Sequence, residues 1–199
     1  MKKIAHEGYP FIVFFALITF FPLGLLLLMF YFFRDPERFT PFNKDVFVAP
    51  ADGKIIFADE VNEEKYFQTK TQKISIFMSV FDVHVNRAPC DGKVIMVRHN
   101  KGRFLSAFKD RASLENENIE MILEGDYGKI LVRQVAGLVA RRAVCRVQPG
   151  QSLVRGERFG IIKFSSRVDI YMPESCSIVV KPGHRVRAGE TIIARLDKS

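Results

Sequence analysis

The sequence predicts a mostly β domain preceded by an N-terminal hydrophobic membrane helix or helical hairpin. Three observations support this fold class: one long uncharged apolar run near the N-terminus, many short segments rich in Val, Ile and Phe, and a turn motif that occurs twice. Hydrophobic residues make up 48% of the 199 residues and charged residues 26%, a balance that excludes a disordered or low-complexity chain. The length predicts one domain with a small appendage.

The apolar run covers residues 10–33, none of which is charged. At ~1.5 Å per residue a helix of that length reaches about 36 Å, enough to cross a hydrocarbon core of roughly 30 Å. Pro22 and Gly24 interrupt the run, which is typical of a hairpin that enters and leaves on one face. Both arrangements stay open, and residues 1–40 form the predicted membrane-attachment segment. Basic residues lie on both sides of the run: Lys2, Lys3, Arg34, Arg38 and Lys44.

Residues 41–199 form the predicted β domain. Ten of its segments have the composition of strands, with Gly, Pro, Asn or Asp between them. They are residues 47–49, 54–58, 73–78, 93–98, 119–123, 129–136, 158–164, 168–171, 177–180 and 191–196. One short helix is predicted at residues 103–114.

A turn motif occurs twice at an offset of 33 residues. Residues 147–150 (Val-Gln-Pro-Gly) return as residues 180–183 (Val-Lys-Pro-Gly), and the Gly-Glu pair at 156–157 returns at 189–190. Each copy predicts a hairpin, because Pro-Gly forms a tight turn. The pattern resembles the half-units of lipoyl and biotinyl carrier domains, which implies a barrel-sandwich-like β domain. Two unrelated hairpins with similar turns are the alternative.

The formal net charge of +8 predicts an anionic partner, either a nucleic acid or a phospholipid surface. The apolar run favours the membrane. Outside that run, basic and aromatic residues do not alternate in the way that is typical of a nucleic-acid binder, so we expect no nucleic acid. The three cysteines have no metal-binding or redox-motif spacing, and we expect buried thiols in a reducing compartment.

Three places in the chain are candidates for chemistry. His84 lies in an apolar stretch, where a hydrogen-bonded core histidine is the structural alternative. Asp52 lies in a Pro-Ala-Asp-Gly sequence that a simple turn also explains. Ser165 and Ser166 lie between two strand-like segments, as the serines of an ordinary hairpin loop do. No metal-ligand spacing, phosphate-binding loop or Gly-x-Ser-x-Gly motif is present, so we expect no metal.

Several segments follow one another in a specific order. After the apolar N-terminus come Phe-Phe-Arg-Asp-Pro-Glu-Arg at 32–38, Pro-Ala-Asp-Gly at 50–53, Phe-Asp-Val-His-Val-Asn-Arg-Ala-Pro at 81–89, and Ser-Ser-Arg at 165–167 before the terminal Pro-Gly hairpin. In this order and spacing they resemble the phosphatidylserine decarboxylase family in its short, membrane-attached bacterial form. The likeness covers nearly the whole chain.

The resemblance implies a carboxy-lyase made as a proenzyme, which cuts itself before a serine and converts that serine into a pyruvoyl group. On this chain Ser166 becomes the pyruvoyl cofactor, Ser165 is its cleavage-site partner, and the products are residues 1–165 and 166–199. The pyruvoyl carbonyl supplies the electron sink for converting phosphatidylserine to phosphatidylethanolamine. His84 is expected to act as general acid or base, and Asp52, which matches the family's relay aspartate, is expected to orient His84 or to stabilise its charge.

Two positions depart from the family pattern. The family usually has Gly-Ser at the cut, and this chain has Ser165, which lacks the backbone freedom of glycine. The long form of the family has two histidines three residues apart, and here His84 holds the first place and Arg87 the second. We still expect self-cleavage, but the resemblance provides no histidine at the relay position.

The expected partners are phosphatidylserine and an anionic membrane surface. The two fragments are expected to form a heterodimer with each other, and whether the protein also forms a homo-oligomer stays open. Unpaired cysteines and basic flanks predict that the protein is located at the cell membrane with its catalytic part on the cytoplasmic side. Several basic residues are candidates to face the lipid phosphate, with an ordinary solvated surface position as the alternative for each: Arg34, Arg38, Arg141, Arg142 and Arg167. The alternative function is a membrane-tethered barrel-sandwich adaptor or carrier without catalysis, although neither Pro-Gly turn has a lysine at its tip.

Overall fold

The computed structural model describes residues 9–43, 45–102, 116–137, 142–163 and 166–197. The chain divides into two compact units, Met1–Arg34 and Asp35–Ser199. The strands of the described residues all belong to the second unit. Residues 35–40, which the sequence analysis grouped with the apolar segment, also belong to it.

Helix α1 extends from Tyr9 to Phe32 and continues through Pro22, so of the two arrangements left open the structure has the single helix. Proline removes one backbone hydrogen bond, and a long apolar helix retains the bonds of the turns on either side. Residues Val13–Phe32 have a mean hydropathy of 2.6, and an 18-residue window within them contains no buried residue. By length and composition, α1 is able to cross a membrane as a single helix.

The second unit is built from short strands, which confirms the mostly β prediction. They are β1 (Val46–Val48), β2 (Gly53–Glu63), β3 (Thr69–Met78), β4 (Val85–Arg87), β5 (Gly92–Asn100), β6 (Asn118–Gly125), β7 (Gly128–Ala136), β8 (Ala143–Cys145), β9 (Ser152–Leu153), β10 (Arg158–Ile162), β11 (Ser166–Pro173), β12 (Cys176–Ile178), β13 (Arg185–Val186) and β14 (Ile192–Leu196). Each predicted strand overlaps one of these. Strands β4, β8, β9 and β13, of two or three residues each, were not predicted. The predicted helix at 103–114 lies outside the described residues.

Antiparallel pairing joins the described strands into three sheets. The large sheet has the order β13-β2-β3-β11-β7-β6-β5-β9, and the two small sheets have the orders β1-β14-β12 and β4-β10-β8. Strand β11 lies inside the large sheet, and its residues Val168, Ile170 and Met172 face the main hydrophobic core. Phe47 of β1 and Phe159 of β10 belong to the same core. All three sheets therefore contribute side chains to one core.

The repeated turn motif forms two equivalent hairpins. Gly150 and Gly183 have φ angles of 97° and 98°, a left-handed conformation that glycine adopts without strain. The backbone N–H of Gly150 donates to the carbonyl of Val94 at 2.7 Å, and that of Gly183 donates to the carbonyl of Ile55 at 2.8 Å. The two copies therefore make the same contact with two different strands.

The segments that receive these hairpins are also related in sequence. Residues 49–54 are Ala-Pro-Ala-Asp-Gly-Lys and residues 88–93 are Ala-Pro-Cys-Asp-Gly-Lys. The Oδ1 atom of Asp52 accepts from the N–H of Ala188 at 2.7 Å, and Oδ1 of Asp91 accepts from the N–H of Arg155 at 2.8 Å. The sequence analysis missed this second repeat. With the first repeat it makes the β unit a barrel-sandwich of two similar halves.

Candidate active site

Ser166 is the first residue of β11, at one end of the large sheet. Its backbone is in register with Met78 of β3 on one side and Ala136 of β7 on the other, and the residue is fully buried. Strand β10 ends at Ile162 and belongs to a different sheet. Only residues 163–165 therefore lie between β10 and β11. Ser165, the predicted cleavage-site partner, lies outside the described residues.

Both ends of this short connection are held by strand pairing. Ile162 pairs with Ala143 of β8, and its N–H donates to the carbonyl of His84 at 3.2 Å. Ser166 is held by the two neighbours of β11. The described residues on both sides of the connection are therefore held in place, while residues 164 and 165 lie outside the described residues.

The hydroxyl of Ser166 lies in a small polar cluster inside the core. It donates to the Sδ atom of Met78 at 3.4 Å, and Nδ2 of Asn86 contacts the same sulfur at 3.9 Å. The Oδ1 atom of Asn86 accepts from Nε2 of Gln134 at 2.8 Å. All four residues are buried, and the Gln134 Oε1 atom has no hydrogen-bond partner in the described structure. Sequence reasoning missed Asn86 and Gln134, and the one available signal was an asparagine within an apolar run.

His84 is fully buried, just before β4. Its Nδ1 atom lies 2.9 Å from the carbonyl oxygen of Asp82. A carbonyl oxygen only accepts, so Nδ1 is the donor, and in the neutral form of the ring Nε2 is the nitrogen left to accept a proton. The carboxylate of Asp82 accepts from the N–H and the hydroxyl of Ser79, which fixes the loop before His84. The loop therefore sets the tautomer of the predicted base.

Asp52 has a different set of partners. Its Oδ2 atom pairs with Nη2 of Arg38 at 2.8 Å, and its Oδ1 atom accepts from the N–H of Ala188. Within the described part of the chain, the carboxylate of Asp52 is not hydrogen-bonded to His84. The predicted orienting contact is therefore absent there, and Asp52 instead holds a turn as its counterpart Asp91 does. It shares Arg38 with Glu190, whose Oε2 atom lies 3.3 Å from Nη1.

Arg87 stands where the long form of the family has its second histidine. Its guanidinium lies 3.2 Å from Asp35 and donates to the carbonyls of Pro36 and Gly156 at 2.9 and 3.0 Å. Burial lowers the pKa of Arg87, and the nearby charge of Arg158 lowers it further. Arg87 therefore binds the segment that follows residue 34, and its guanidinium is no substitute for a basic imidazole.

Arg167 and Asp169 lie on the face of β11 opposite the main core. Their side chains form a buried ion pair, with Nε to Oδ1 at 2.9 Å and Nη2 to Oδ2 at 3.2 Å. Only 1% of Arg167 is exposed, and none of Asp169 is. Arg38 is likewise paired with Asp52. A residue that faces a lipid phosphate must lie on the surface. Neither Arg38 nor Arg167 does.

Glu120 and Arg133 form a second buried ion pair on this face, at 2.9 Å. Burial alone favours the neutral carboxylic acid, but hydrogen bonds from Lys65, Tyr66 and Asn100 and the charge of Arg133 outweigh it. Together they lower the pKa of Glu120 to about 2. The back of the strand that carries Ser166 is therefore lined by paired charges.

The described residues include no group of three or more His, Cys, Asp or Glu side chains arranged to hold a metal ion. The three cysteines form no disulfide, with Cys90 and Cys176 buried and Cys145 half-buried. Burial raises the pKa of Cys176 to about 12 and also raises the pKa of Cys90. These two thiols are inert packing groups, as the sequence predicts.

Comparisons with known proteins agree on one family. Residues 25–194 match the family model described as phosphatidylserine decarboxylase. The "Phosphatidylserine decarboxylase proenzyme" of Syntrophotalea carbinolica is 48% identical, over 98% of this chain and 97% of the relative. Proteins of the same name from Geobacter metallireducens and Desulfotalea psychrophila are 46% and 43% identical, each over 97% of this chain and 96% of the relative.

Proposed function

This chain belongs to the phosphatidylserine decarboxylase family, and from that premise we propose that it is a proenzyme that converts phosphatidylserine to phosphatidylethanolamine and CO2 after cutting itself between Ser165 and Ser166. As a decarboxylase it is a carboxy-lyase of phospholipid biosynthesis. Family membership argues against the alternative of an adaptor or carrier without catalysis.

The position of Ser166 is the observation that carries this proposal. A buried serine begins an interior strand directly after a connection of three residues between two sheets. A hydroxyl that attacks its own peptide bond needs the carbonyl in one fixed orientation, and a backbone held at both ends supplies it.

The proposed cleavage needs only residues of the chain and water. The Oγ atom of Ser166 attacks the carbonyl carbon of Ser165, the peptide C–N bond breaks, and an ester joins the two residues. Loss of the α-proton of residue 166 then expels residue 165 as a carboxylate, leaving dehydroalanine. Its tautomer takes up water and releases ammonia, which leaves a pyruvoyl group on residue 166.

The surroundings of position 166 fit a pyruvoyl group. This group has nearly the size of the serine that it replaces, and the thioether of Met78 leaves a neutral apolar wall beside it. Asn86 supplies an amide donor on the same side. When bound, the pyruvoyl group supplies a carbonyl that accepts electrons as the carboxylate of an amino acid leaves.

We assign His84 as the base that accepts a proton from the Ser166 hydroxyl or its α-carbon. The support is its buried ring, whose Nδ1 is engaged by a carbonyl so that Nε2 is left to accept a proton, and the hydrogen bond of its backbone carbonyl with Ile162 next to the connection. We assign Asp52 a positioning role, in which it holds the turn at residues 187–191 and Arg38 at the same end of the sheet.

The two fragments are proposed to stay together as a heterodimer. Residues 166–199 contribute β11 to β14, and β11 is hydrogen-bonded on both sides to strands of the other fragment. We place the protein at the cell membrane through α1, with the β unit on the cytoplasmic side, since its thiols are reduced.

Intact mass of the purified full-length protein tests the cleavage. We expect a C-terminal fragment of residues 166–199 that lacks a free amino group, and release of CO2 from vesicles of phosphatidylcholine and phosphatidylserine. Ser166→Ala should remain one chain and release none. Ser177→Ala removes a hydroxyl of the same fragment that contacts only Asp197 in the described structure, and it should cleave normally.

One unbroken wild-type polypeptide with no release of CO2 would contradict the proposal. An unbroken chain that does release CO2 would contradict the formation of a pyruvoyl group but would still support the decarboxylation of phosphatidylserine.

A further inference from the structure

Exposed aromatic and basic side chains occur together at the end of the large sheet where β11 begins. Phe39 is 91% exposed and Phe81 is 64% exposed, although both belong to a well-packed unit. Arg185, Arg187 and Lys54 are exposed beside them. We call these five residues the aromatic-basic rim.

Direct contacts tie the members of the rim to one another. Nη1 of Arg185 pairs with the carboxylate of Asp82, next to Phe81, at 3.1 Å. The N–H of Phe39 donates to Oε1 of Glu190 at 3.2 Å, and Nη1 of Arg187 lies 3.9 Å from Oε2 of the same residue. The backbone of Phe39 and the residue next to Phe81 are therefore bound to β13 and the turn that follows it.

Strand register connects the rim to the candidate active site. Arg185, Lys54, Phe77 and Arg167 form one row across the neighbouring strands β13, β2, β3 and β11. At ~4.8 Å per strand, the backbone of Arg185 lies about 14 Å from that of Arg167. Arg167 follows Ser166 directly. The rim and the proposed reaction centre therefore share one end of the sheet.

The charge of the rim is complementary to an anionic surface. The carboxylates Asp82, Asp52 and Glu190 at this end all have partners. Asp82 is bound by Arg185 and Ser79, Asp52 by Arg38 and Ala188, and Glu190 by Arg38, the N–H of Phe39 and, at 3.9 Å, Arg187. The basic side chains stay exposed, with 73% of the Arg185 side chain and 75% of the Arg187 side chain accessible to solvent. Aromatic rings beside exposed cations are typical of surfaces that bind the interface of an anionic bilayer.

We propose that the aromatic-basic rim is a second membrane contact, separate from α1, that holds the active-site end of the β unit against an anionic lipid surface. The choice of a bilayer as occupant rests on the proposed function, because a lipid substrate must reach position 166 from the membrane. Phe39 and Phe81 enter the interface, and Arg185, Arg187 and Lys54 bind lipid phosphates.

Single tryptophans test this contact, because the chain contains none. We compare full-length Phe39→Trp and Phe81→Trp in vesicles of equal parts phosphatidylcholine and phosphatidylglycerol, with and without brominated acyl chains. Neither lipid is the proposed substrate, so the result does not depend on cleavage or decarboxylation. Asn62→Trp is the control, since Asn62 is exposed near the far end of β2, roughly 30 Å along the strand from Gly53.

We expect the emission of both rim variants to shift to the blue and to be largely lost to brominated chains, while Asn62→Trp keeps the emission of a water-exposed indole. Adding Arg185→Gln and Arg187→Gln to Phe81→Trp should weaken the quenching. Lys70→Gln with Lys129→Gln, the same charge change on exposed far-end residues, should not.

Two results would overturn the proposal. One is rim emission that matches Asn62→Trp. The other is a blue shift without quenching by brominated chains, because it would place the rings against protein, as in a contact between two copies of the chain. Quenching in a protein that neither cleaves nor decarboxylates would instead contradict the proposed function and leave the membrane contact in place.

Discussion

The polar cluster beside Ser166 makes a specific prediction about Asn86. Asn86→Ala removes the acceptor of the Gln134 side-chain amide in a fully buried site. A buried donor without a partner costs about 1–3 kcal/mol, and the space left by the side chain adds to this. We expect a total loss of about 2–4 kcal/mol, a large part of a typical domain stability of roughly 5–15 kcal/mol.

A double variant separates stability from cleavage. Asn86→Leu with Gln134→Met removes both polar partners at similar volume, so we expect stability close to the wild type. Cleavage should still slow by roughly three- to tenfold, since the amide that contacts the Met78 sulfur beside Ser166 is worth about 0.5–1.5 kcal/mol and ~1.4 kcal/mol is tenfold in rate.

The two quantities need separate assays. Urea unfolding in detergent is measured on a Ser166→Ala background, so that all samples are uncleaved. Cleavage is followed in freshly synthesised chains as the fraction of intact polypeptide against time. A double variant that is stable and cleaves at the wild-type rate would refute the claim that Asn86 positions the serine. An Asn86→Ala variant as stable as the wild type would refute the free-energy cost assigned to losing the buried Asn86–Gln134 hydrogen bond.

Three further predictions concern the β unit. The pKa of Glu120, about 2, lies below its ordinary value of 4.5. The ionised carboxylate therefore makes its full contribution to the free energy of unfolding above about pH 4.5, and this contribution is lost as the pH falls towards 2. Glu120→Gln should therefore remove up to about 3 kcal/mol of acid dependence from urea unfolding, and Glu124→Gln, which is half exposed, should not. Asp169→Ala leaves buried Arg167 without this carboxylate and should cost about 3–5 kcal/mol, so an unchanged urea midpoint would contradict the ion pair. Gly160→Ala places a Cβ atom 2.4 Å from a carbonyl of β8 and should cost about 1–3 kcal/mol, seen as a lower melting temperature.

The fold was predictable where the signal is local. The Val- and Ile-rich segments and the Pro-Gly turns identify strands and hairpins, because turn chemistry and alternation act within a few residues. Strands β4, β8, β9 and β13 escaped, since two or three residues have no periodicity and become strands only by pairing with a distant partner. The sequence left a hairpin and a single helix open at Pro22, and the structure has the single helix because a long apolar helix keeps enough hydrogen bonds on either side.

The candidate site was predictable only in part. Ser166, His84 and Asp52 were named from motifs, and the residues that surround them were not. Asn86 and Gln134 are 48 residues apart, and only the packing of two sheets brings them to 2.8 Å. The contact of Asp52 with Ala188 needed a comparison with residues 88–93, since the repeated Ala-Pro-x-Asp-Gly-Lys sequence marks a turn-holding aspartate in both copies.

The connection at residues 163–165 explains why a Ser-Ser pair has no meaning as an isolated motif. Its upstream end is held by His84 and Ala143 and its downstream end by Met78 and Ala136, which are contributed by two different sheets. The proposed reaction is therefore assembled only when both sheets have formed, so folding must precede cleavage. Neither the pairing of Ile162 nor that of Ser166 crosses the bond to be cut. Breaking that bond thus leaves the described pairings of β10 and β11 with their neighbours intact, which is what a self-cleaving proenzyme requires of its fold.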